Sequence, residues 1–251
     1  MRAVFDFSDR VLLITGGANG IGAALARASA EAGATTVIAD VDDGNARALA
    51  NSDESGRIES VHLDVSRSDE VDQVVGELVS RHGRIDGLVC AAVVQPLARV
   101  LELEPESWHR TLAVNVDGVL WCSRAVLPTM IAQRAGSIVV FSSGIAELGK
   151  AGAAGYTTSK GAVAALARTL AREVAGTGVR VNLFRPGRID TPQFRAANPG
   201  MSGDGLDRPE DTVGPLMFLL SEQATMTGST LAREMSYSRS ALGDRPAERV
   251  T

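Results

Sequence analysis

The chain has 251 residues, 45% of them apolar and 22% charged, with a net charge of −5, a composition that excludes a disordered or fibrous protein. A chain of this length buries roughly 70–75% of the surface its unfolded form exposes, so a large core forms without disulfides or metal. The acidic balance and the lack of any Lys/Arg run argue against a nucleic-acid partner, no window approaches the roughly 20 apolar residues of a membrane span, and the first ten residues carry no signal-like apolar run, so a cytoplasmic location is expected.

In chain order, short β-branched runs alternate with longer stretches of helical apolar spacing. "RVLLIT" leads into residues 20–33, "TTVIAD" into 43–50 and "IESVHLD" into 68–82; "IDGLVCAA" leads into 106–134, "SIVVFSS" into 156–175 and "VRVNLF" into 208–221. A last strand near residues 229–234 makes about seven. This alternation predicts an α/β fold, a Rossmann-type doubly wound parallel sheet with helices on both faces. No linker or composition break divides residues 1–251, which read as a single domain. Residues 191–207, rich in Gly, Pro and Asn, read as a loop placed to cover a pocket, and 236–251 as a polar tail. In an open parallel sheet the ligand crevice lies beyond the carboxyl ends of the strands, and the informative residues cluster there.

The first predicted strand runs into Thr15-Gly16-Gly17-Ala18-Asn19-Gly20-Ile21-Gly22. So glycine-dense a turn before a helix lets the backbone approach a pyrophosphate, whose charge the helix N-terminus receives. The spacing is G-x-x-x-G-x-G rather than G-x-G-x-x-G, and taken alone the glycines also fit a plain tight turn. Asp40 closes the second strand 18 positions past Gly22. A carboxylate there accepts hydrogen bonds from the adenosine ribose of NAD and repels the 2′-phosphate of NADP. No Lys or Arg lies at Asn19 or at 41–44 to receive that phosphate. Asp64-Val65, after the third strand, sets a second polar group near the adenine edge.

Tyr156-Thr157-Thr158-Ser159-Lys160 opens a helix, with Ser143 placed 13 residues earlier, just past a strand. Tyr and Lys at i and i+4 share a helix face, and a phenol that titrates near pH 10 needs a nearby cation to act as a base at neutrality. The chain holds 23 arginines and two lysines, so a Lys at this place points to a need for its compact ammonium. Asn115 sits in "LAVNVDG", an apolar helix face where an amide is usually a satisfied core group; the other reading has it hold a helix kink and a water beside Lys160. Arg185-Pro186-Gly187-Arg188-Ile189-Asp190-Thr191-Pro192 follows the sixth strand, with Thr191 placed to bond a nicotinamide carboxamide. Cys90 and Cys122 lie in apolar segments and read as buried free thiols; His62, His82 and His109 are scattered, and no metal site is expected.

From residue 10 to about 228 the sequence resembles the short-chain dehydrogenase/reductase family in its single-domain form. The family's T-G-x-x-x-G-x-G falls on Thr15 to Gly22, its Y-x-x-x-K on Tyr156 and Lys160, its catalytic Ser on Ser143, its tetrad Asn on Asn115 and its P-G turn on Pro186-Gly187. The resemblance implies an oxidoreductase that moves a hydride between NAD and a secondary alcohol or carbonyl of a small molecule. In that scheme Tyr156 takes the hydroxyl proton, Ser143 stabilises the reacting oxygen, Lys160 holds the ribose and lowers the tyrosine pKa, and Asn115 supports a relay water. The implied cofactor contacts are Gly16, Asn19, Gly20, Ile21, Gly22, Asp40, Asp64, Val65, Ala91, Tyr156, Lys160, Pro186, Gly187, Ile189 and Thr191. A homodimer or homotetramer is expected, with Ala162, Val163, Leu166 and Leu170 on a small-residue helix face at the contact. Two departures stand out: Cys90-Ala91-Ala92-Val93 replaces the usual N-N-A-G, and the D-G-G near the end is missing. The alternatives are a 3-oxoacyl-thioester reductase using NADPH, against which Asp40 argues, and a non-catalytic dinucleotide-binding regulator, against which Tyr156, Lys160 and Ser143 argue.

Overall fold

In the computed structural model, which describes residues 5–233, seven parallel strands form one sheet. They are β1 (Val11–Thr15), β2 (Thr35–Asp40), β3 (Ile58–His62), β4 (Gly87–Cys90), β5 (Gly136–Phe141), β6 (Val179–Arg185) and β7 (Thr230–Ala232), in the order β3-β2-β1-β4-β5-β6-β7. The order reverses between β1 and β4, so the crevice opens at their carboxyl ends. The expected last strand is the three residues of β7; Glu234 and the tail 236–251 lie outside the described residues.

Period-two alternation divides the strand side chains between two apolar layers. Leu13, Val37, Leu88, Ile138, Val140, Val181 and Leu183 face one layer, while Leu12, Ile14, Ile38, Val89, Val139 and Phe184 face the other. Helices α3 (Ser68–His82), α5 (Gly118–Gln133) and α7 (Ala154–Glu173) cover the first face, through Val71, Val75, Val126, Met130, Val163 and Leu170. Helices α1 (Gly20–Glu31), α2 (Asp43–Asn51) and α9 (Val213–Leu220) cover the second, through Leu25, Leu49, Leu216 and Leu219. Burial of the sheet on both faces is why its strands read as nearly unbroken apolar runs. No described helix is long and apolar enough to cross a membrane.

Three expectations are corrected. The segment 106–134 is not one helix: α4 (Pro105–Leu112) passes through a π-turn at Ala113–Asp117 before α5 begins. The segment 208–221 starts as a 3-10 turn, Pro209–Thr212, and becomes α-helical only at Val213. Within 191–207 a short helix, Pro192–Ala196, forms because Thr191 caps it, its Oγ1 accepting from Phe194 N at 3.1 Å, and Pro192 sits at the first helical position. A further short helix, Ile145–Leu148, follows β5; these two pieces are α8 and α6 in chain order.

Candidate active site

The turn between β1 and α1 works through close backbone approach. Gly16 has φ +68°, and a Cβ added there would lie 2.5 Å from Ala92 N; a Cβ at Gly22 would lie 2.3 Å from Gly16 O. Both positions exclude any side chain, so the turn, the first coil of α1 and the loop after β4 come together. They bound a cavity of about 580 Å³, whose wall includes Gly16, Asn19, Gly20, Ile21, Gly22 and Ala91. Helix α1 begins without a side-chain cap, since the Asn19 amide donates to Asp42 Oδ2 at 3.1 Å instead.

At the β2 end of the cavity the Asp40 carboxylate accepts from Ala18 N and Asp42 N, both at 3.0 Å. Asp42 stands beside it on the cavity wall. Hydrogen bonds from Asn45 N, then from the Asn45 and Asn19 side chains, hold its carboxyl below the usual range. Asp64 and Val65 also line the cavity, but Asp64 is already engaged: its carboxylate accepts from Ser66 Oγ at 2.7 Å, Ser66 N at 3.0 Å and Arg110 Nη1 at 3.1 Å. Its expected role as a polar group facing the adenine edge is thereby narrowed to whatever acceptor capacity those three bonds leave.

Ser143, Tyr156 and Lys160 come together at the end of β5. Lys160 is buried, donates to Phe141 O at 2.8 Å, and lies 5.6 Å from the centroid of the Tyr156 ring. Burial pushes the Tyr156 phenol up, and its hydrogen bond with Ser143 pulls the other way. Without dinucleotide, then, the phenol is not lowered, and Lys160 spends its bond on the β5 backbone. Burial also draws the Lys160 ammonium down from 10.5 to about 8. Because the folded value lies below the unfolded one, the unfolded chain binds the extra proton between these limits. The buried charge therefore costs stability below pH 8, on the order of 3 kcal/mol, and that cost disappears as pH rises to 10.5. The stability difference between Lys160→Met and the parent should move in the parent's favour by about this amount over that interval, measured by denaturant unfolding of the cofactor-free protein. A difference constant with pH would remove the buried charge from the account.

Asn115 lies in the π-turn, with its side chain buried and fully engaged. Its Oδ1 accepts from Val94 N and its Nδ2 donates to Val94 O, both at 2.9 Å, and Nδ2 also donates to Ser159 Oγ at 3.0 Å. It clamps the loop after β4 to α7, which carries Tyr156 and Lys160. A π-turn widens one coil of helix and so turns a buried amide toward a neighbouring backbone. This clamp reaches the strand that carries Cys90 in place of the usual Asn. Cys90 is buried, with its thiol pushed well up, and Cys122 is buried with its thiol raised to about 12; both are free.

Pro186, Gly187, Ile189 and Thr191 line the opposite wall. The Thr191 hydroxyl accepts the α8 cap bond, and its Cγ2 sits 2.9 Å from where a Cβ on Gly20 would be. Within the segment 191–207, Met201 is exposed and lies off the cavity wall, whereas Phe194 lies on it. Sequence reasoning missed Asp42, Gln95, Arg110, Ser142 and Gln193, which line the cavity. Asp42 had a legible signal, adjacency to Asp40; the others lie on loops or helix faces where no spacing marks them.

A nicotinamide dinucleotide fits these residues on two observations. Gly16 forms a backbone cradle that a Cβ would fill, and the buried Ser142 Oγ on the cavity wall has no hydrogen-bond partner among the described residues.

A doubly wound sheet with a glycine cradle at its switch point and a Ser, Tyr and Lys beyond β5 defines a dinucleotide-dependent oxidoreductase site. Residues 10–202 match the family described as short chain dehydrogenase. The chain is 35% identical to a 3-oxoacyl-(acyl-carrier-protein) reductase of Thermotoga maritima over 88% of its own length and 95% of the relative's. It is 36% identical to the cis-4-hydroxycyclohexanecarboxylate dehydrogenase of Sinomonas cyclohexanicum, over 92% of its length and 97% of that protein. Among solved structures it resembles a 3-ketoacyl-(acyl-carrier-protein) reductase from Brucella melitensis complexed with NADH. The TM-score is 0.81 and the identity 31%, over 90% of this chain and 97% of that one. The chain belongs to the short-chain dehydrogenase/reductase family, as a hydride-transferring oxidoreductase with a nicotinamide dinucleotide cofactor.

Proposed function

We propose that the chain is a cytoplasmic oxidoreductase that prefers NAD and interconverts a small secondary alcohol and its carbonyl, with Tyr156 as the group that takes the hydroxyl proton. The reading rests on one observation: Lys160 lies 5.6 Å from the Tyr156 ring, with Ser143 near enough to pull the phenol down, at the strand end beside the glycine cradle. When bound, the dinucleotide supplies the hydride acceptor. In the oxidation direction the alcohol proton passes to Tyr156 Oη, and the Ser143 hydroxyl donates to the oxygen left behind. Lys160 gives the phenolate that accepts this proton a cation in a buried setting, where a charge acts more strongly than in water. Asn115 serves this site as a brace, holding Val94 and Ser159 in register. Reduction of NAD, followed by absorbance over a panel of secondary alcohols, tests the reading; no reduction with any of them would defeat it.

The same proposal includes self-association through the outer faces of α5 and α7, as a homodimer or homotetramer. Here the residues need revision. Val163 and Leu170 are buried in the chain's own core, while Ala162 and Leu166 remain partly exposed beside the exposed Gly161 and Ala165. These small side chains permit close helix approach. Light scattering at micromolar concentration should give at least twice the monomer mass, and a monomer would end the proposal.

A further inference from the structure

The substrate end of the cavity carries a pair of carboxamides whose hydrogen-bonding capacity is mostly unspent. Gln95 lies just past β4 and Gln193 on α8; both are half-buried and both line the cavity, with Val94 and Phe194 beside them. Gln193 Nε2 donates to Gln95 Oε1 at 3.1 Å, which is the only hydrogen bond either side chain makes among the described residues. A carboxamide offers two N–H donors and an oxygen with two lone pairs. Whichever way the two amides are turned, their mutual bond leaves three N–H groups and most of the oxygen capacity without a partner among the described residues. The pair is also firmly based. Asn115 grips both backbone groups of Val94, the residue before Gln95, and the Thr191 cap fixes the turn that presents Gln193.

Charge at this end is as informative. The charged residues on the cavity wall are Asp40, Asp42, Asp64, Arg110 and Lys160. The three carboxylates stand at or just past the ends of β2 and β3, Arg110 of α4 is paired to Asp64, and Lys160 donates to Phe141 O. Of the cations flanking Gln193 in sequence, Arg195 pairs with Asp190 and Arg185 with Glu147, while Arg188 is exposed and off the cavity wall; Lys150 is engaged with Asn198 Oδ1 and Ala197 O. A carboxylate brought to this wall would lose its water without gaining a cation.

Resting on the reading of Tyr156 as proton acceptor, we infer that the substrate is an uncharged molecule bearing a second hydroxyl or carbonyl next to the reacting one, a diol, polyol or hydroxyketone, and that Gln95 and Gln193 recognise that second oxygen. An amide suits either form of that second oxygen, because it donates to a carbonyl and both donates to and accepts from a hydroxyl.

Matched small probes on the full chain test this. With NAD, kcat/KM for propylene glycol should exceed that for isopropanol by about tenfold or more, the size expected of one or two hydrogen bonds to the added hydroxyl, and lactate should fall below both. In Gln95→Leu and Gln193→Leu the diol-to-monoalcohol ratio should collapse toward one. In parallel, calorimetry with NADH present should show hydroxyacetone binding more tightly than acetone, and Gln193→Leu should erase the difference. If alcohols are oxidised but the diol has no advantage, or if the advantage survives in both variants, the recognition proposal is wrong while the enzymatic reading stands. If nothing is oxidised yet hydroxyacetone keeps its Gln193-dependent preference, the recognition holds and the oxidoreductase reading fails. Absence of both turnover and binding preference overturns both.

Discussion

Tyr156→Phe is expected to lower kcat by about 10²–10⁴, the usual contribution of one positioned proton-transfer group, while NADH binding stays nearly unchanged. The phenol is half-buried beside Ser143, and its surroundings push it up from its ordinary value. Alcohol oxidation needs the deprotonated form, so kcat/KM for oxidation should rise with pH until the phenolate is populated. Carbonyl reduction needs the protonated form and should fall over the same range. Loss of both limbs in the Phe variant, with NADH fluorescence titration intact, separates a proton-transfer role from a structural one. Near-normal turnover in that variant would remove Tyr156 from the mechanism. Lys160→Met should differ in kind, damaging dinucleotide binding as well as turnover, because its buried ammonium, 5.6 Å from the phenol ring, also lines the cavity that an added ribose would enter.

Much of this arrangement was legible because burial on both sheet faces leaves a strong signature. Each of β1, β2, β4, β5 and β6 is a short apolar run, and α3 covers residues 68–82 as its spacing predicts. The glycine turn and the Tyr156 and Lys160 pair were readable because both depend on fixed short spacings along one chain segment. What could not be read is structure whose cause lies elsewhere in the sequence. The π-turn keeps the apolar rhythm of a continuous helix, since Val114 and Asn115 are both buried, and the backbone of Val94, 21 residues away, is what Asn115 satisfies there. Helix α8 was hidden by loop-like composition, although Thr191-Pro192 carried a cap signal. Gln95 and Gln193 meet across 98 positions, and no local pattern announces such a pair. Val163 and Leu170 show the converse error: small and apolar at helical spacing, they face their own sheet rather than a partner.

Cofactor choice should turn on two carboxylates rather than one. Asp40 accepts from Ala18 N and Asp42 N, and a carboxylate has about four acceptor sites, so room remains for the ribose hydroxyls of NAD. Removing such charge-assisted bonds costs about 1.5–3 kcal/mol, and Asp40→Ala should weaken NAD binding roughly ten- to a hundredfold. Two phosphate-turn and loop amides lose their acceptor in the same variant, which keeps the effect from being smaller. A 2′-phosphate would meet Asp40 and, beside it, Asp42, whose hydrogen bonds from Asn45 and Asn19 keep it ionised at neutral pH. At about 4 Å each unit-charge repulsion costs about 1–4 kcal/mol, depending on how far water screens it. Asp40→Ala with Val41→Arg should therefore move preference toward NADP only part of the way, because Asp42 continues to repel the phosphate and competes for the new guanidinium. Adding Asp42→Ser should complete the reversal. The quantity to follow is the ratio of kcat/KM with NAD to that with NADP through the parent, double and triple variants. Stepwise decline supports both carboxylates, a full reversal at the double variant assigns selection to Asp40 alone, and a parent that already prefers NADP would remove both from the role and favour a thioester-reductase reading.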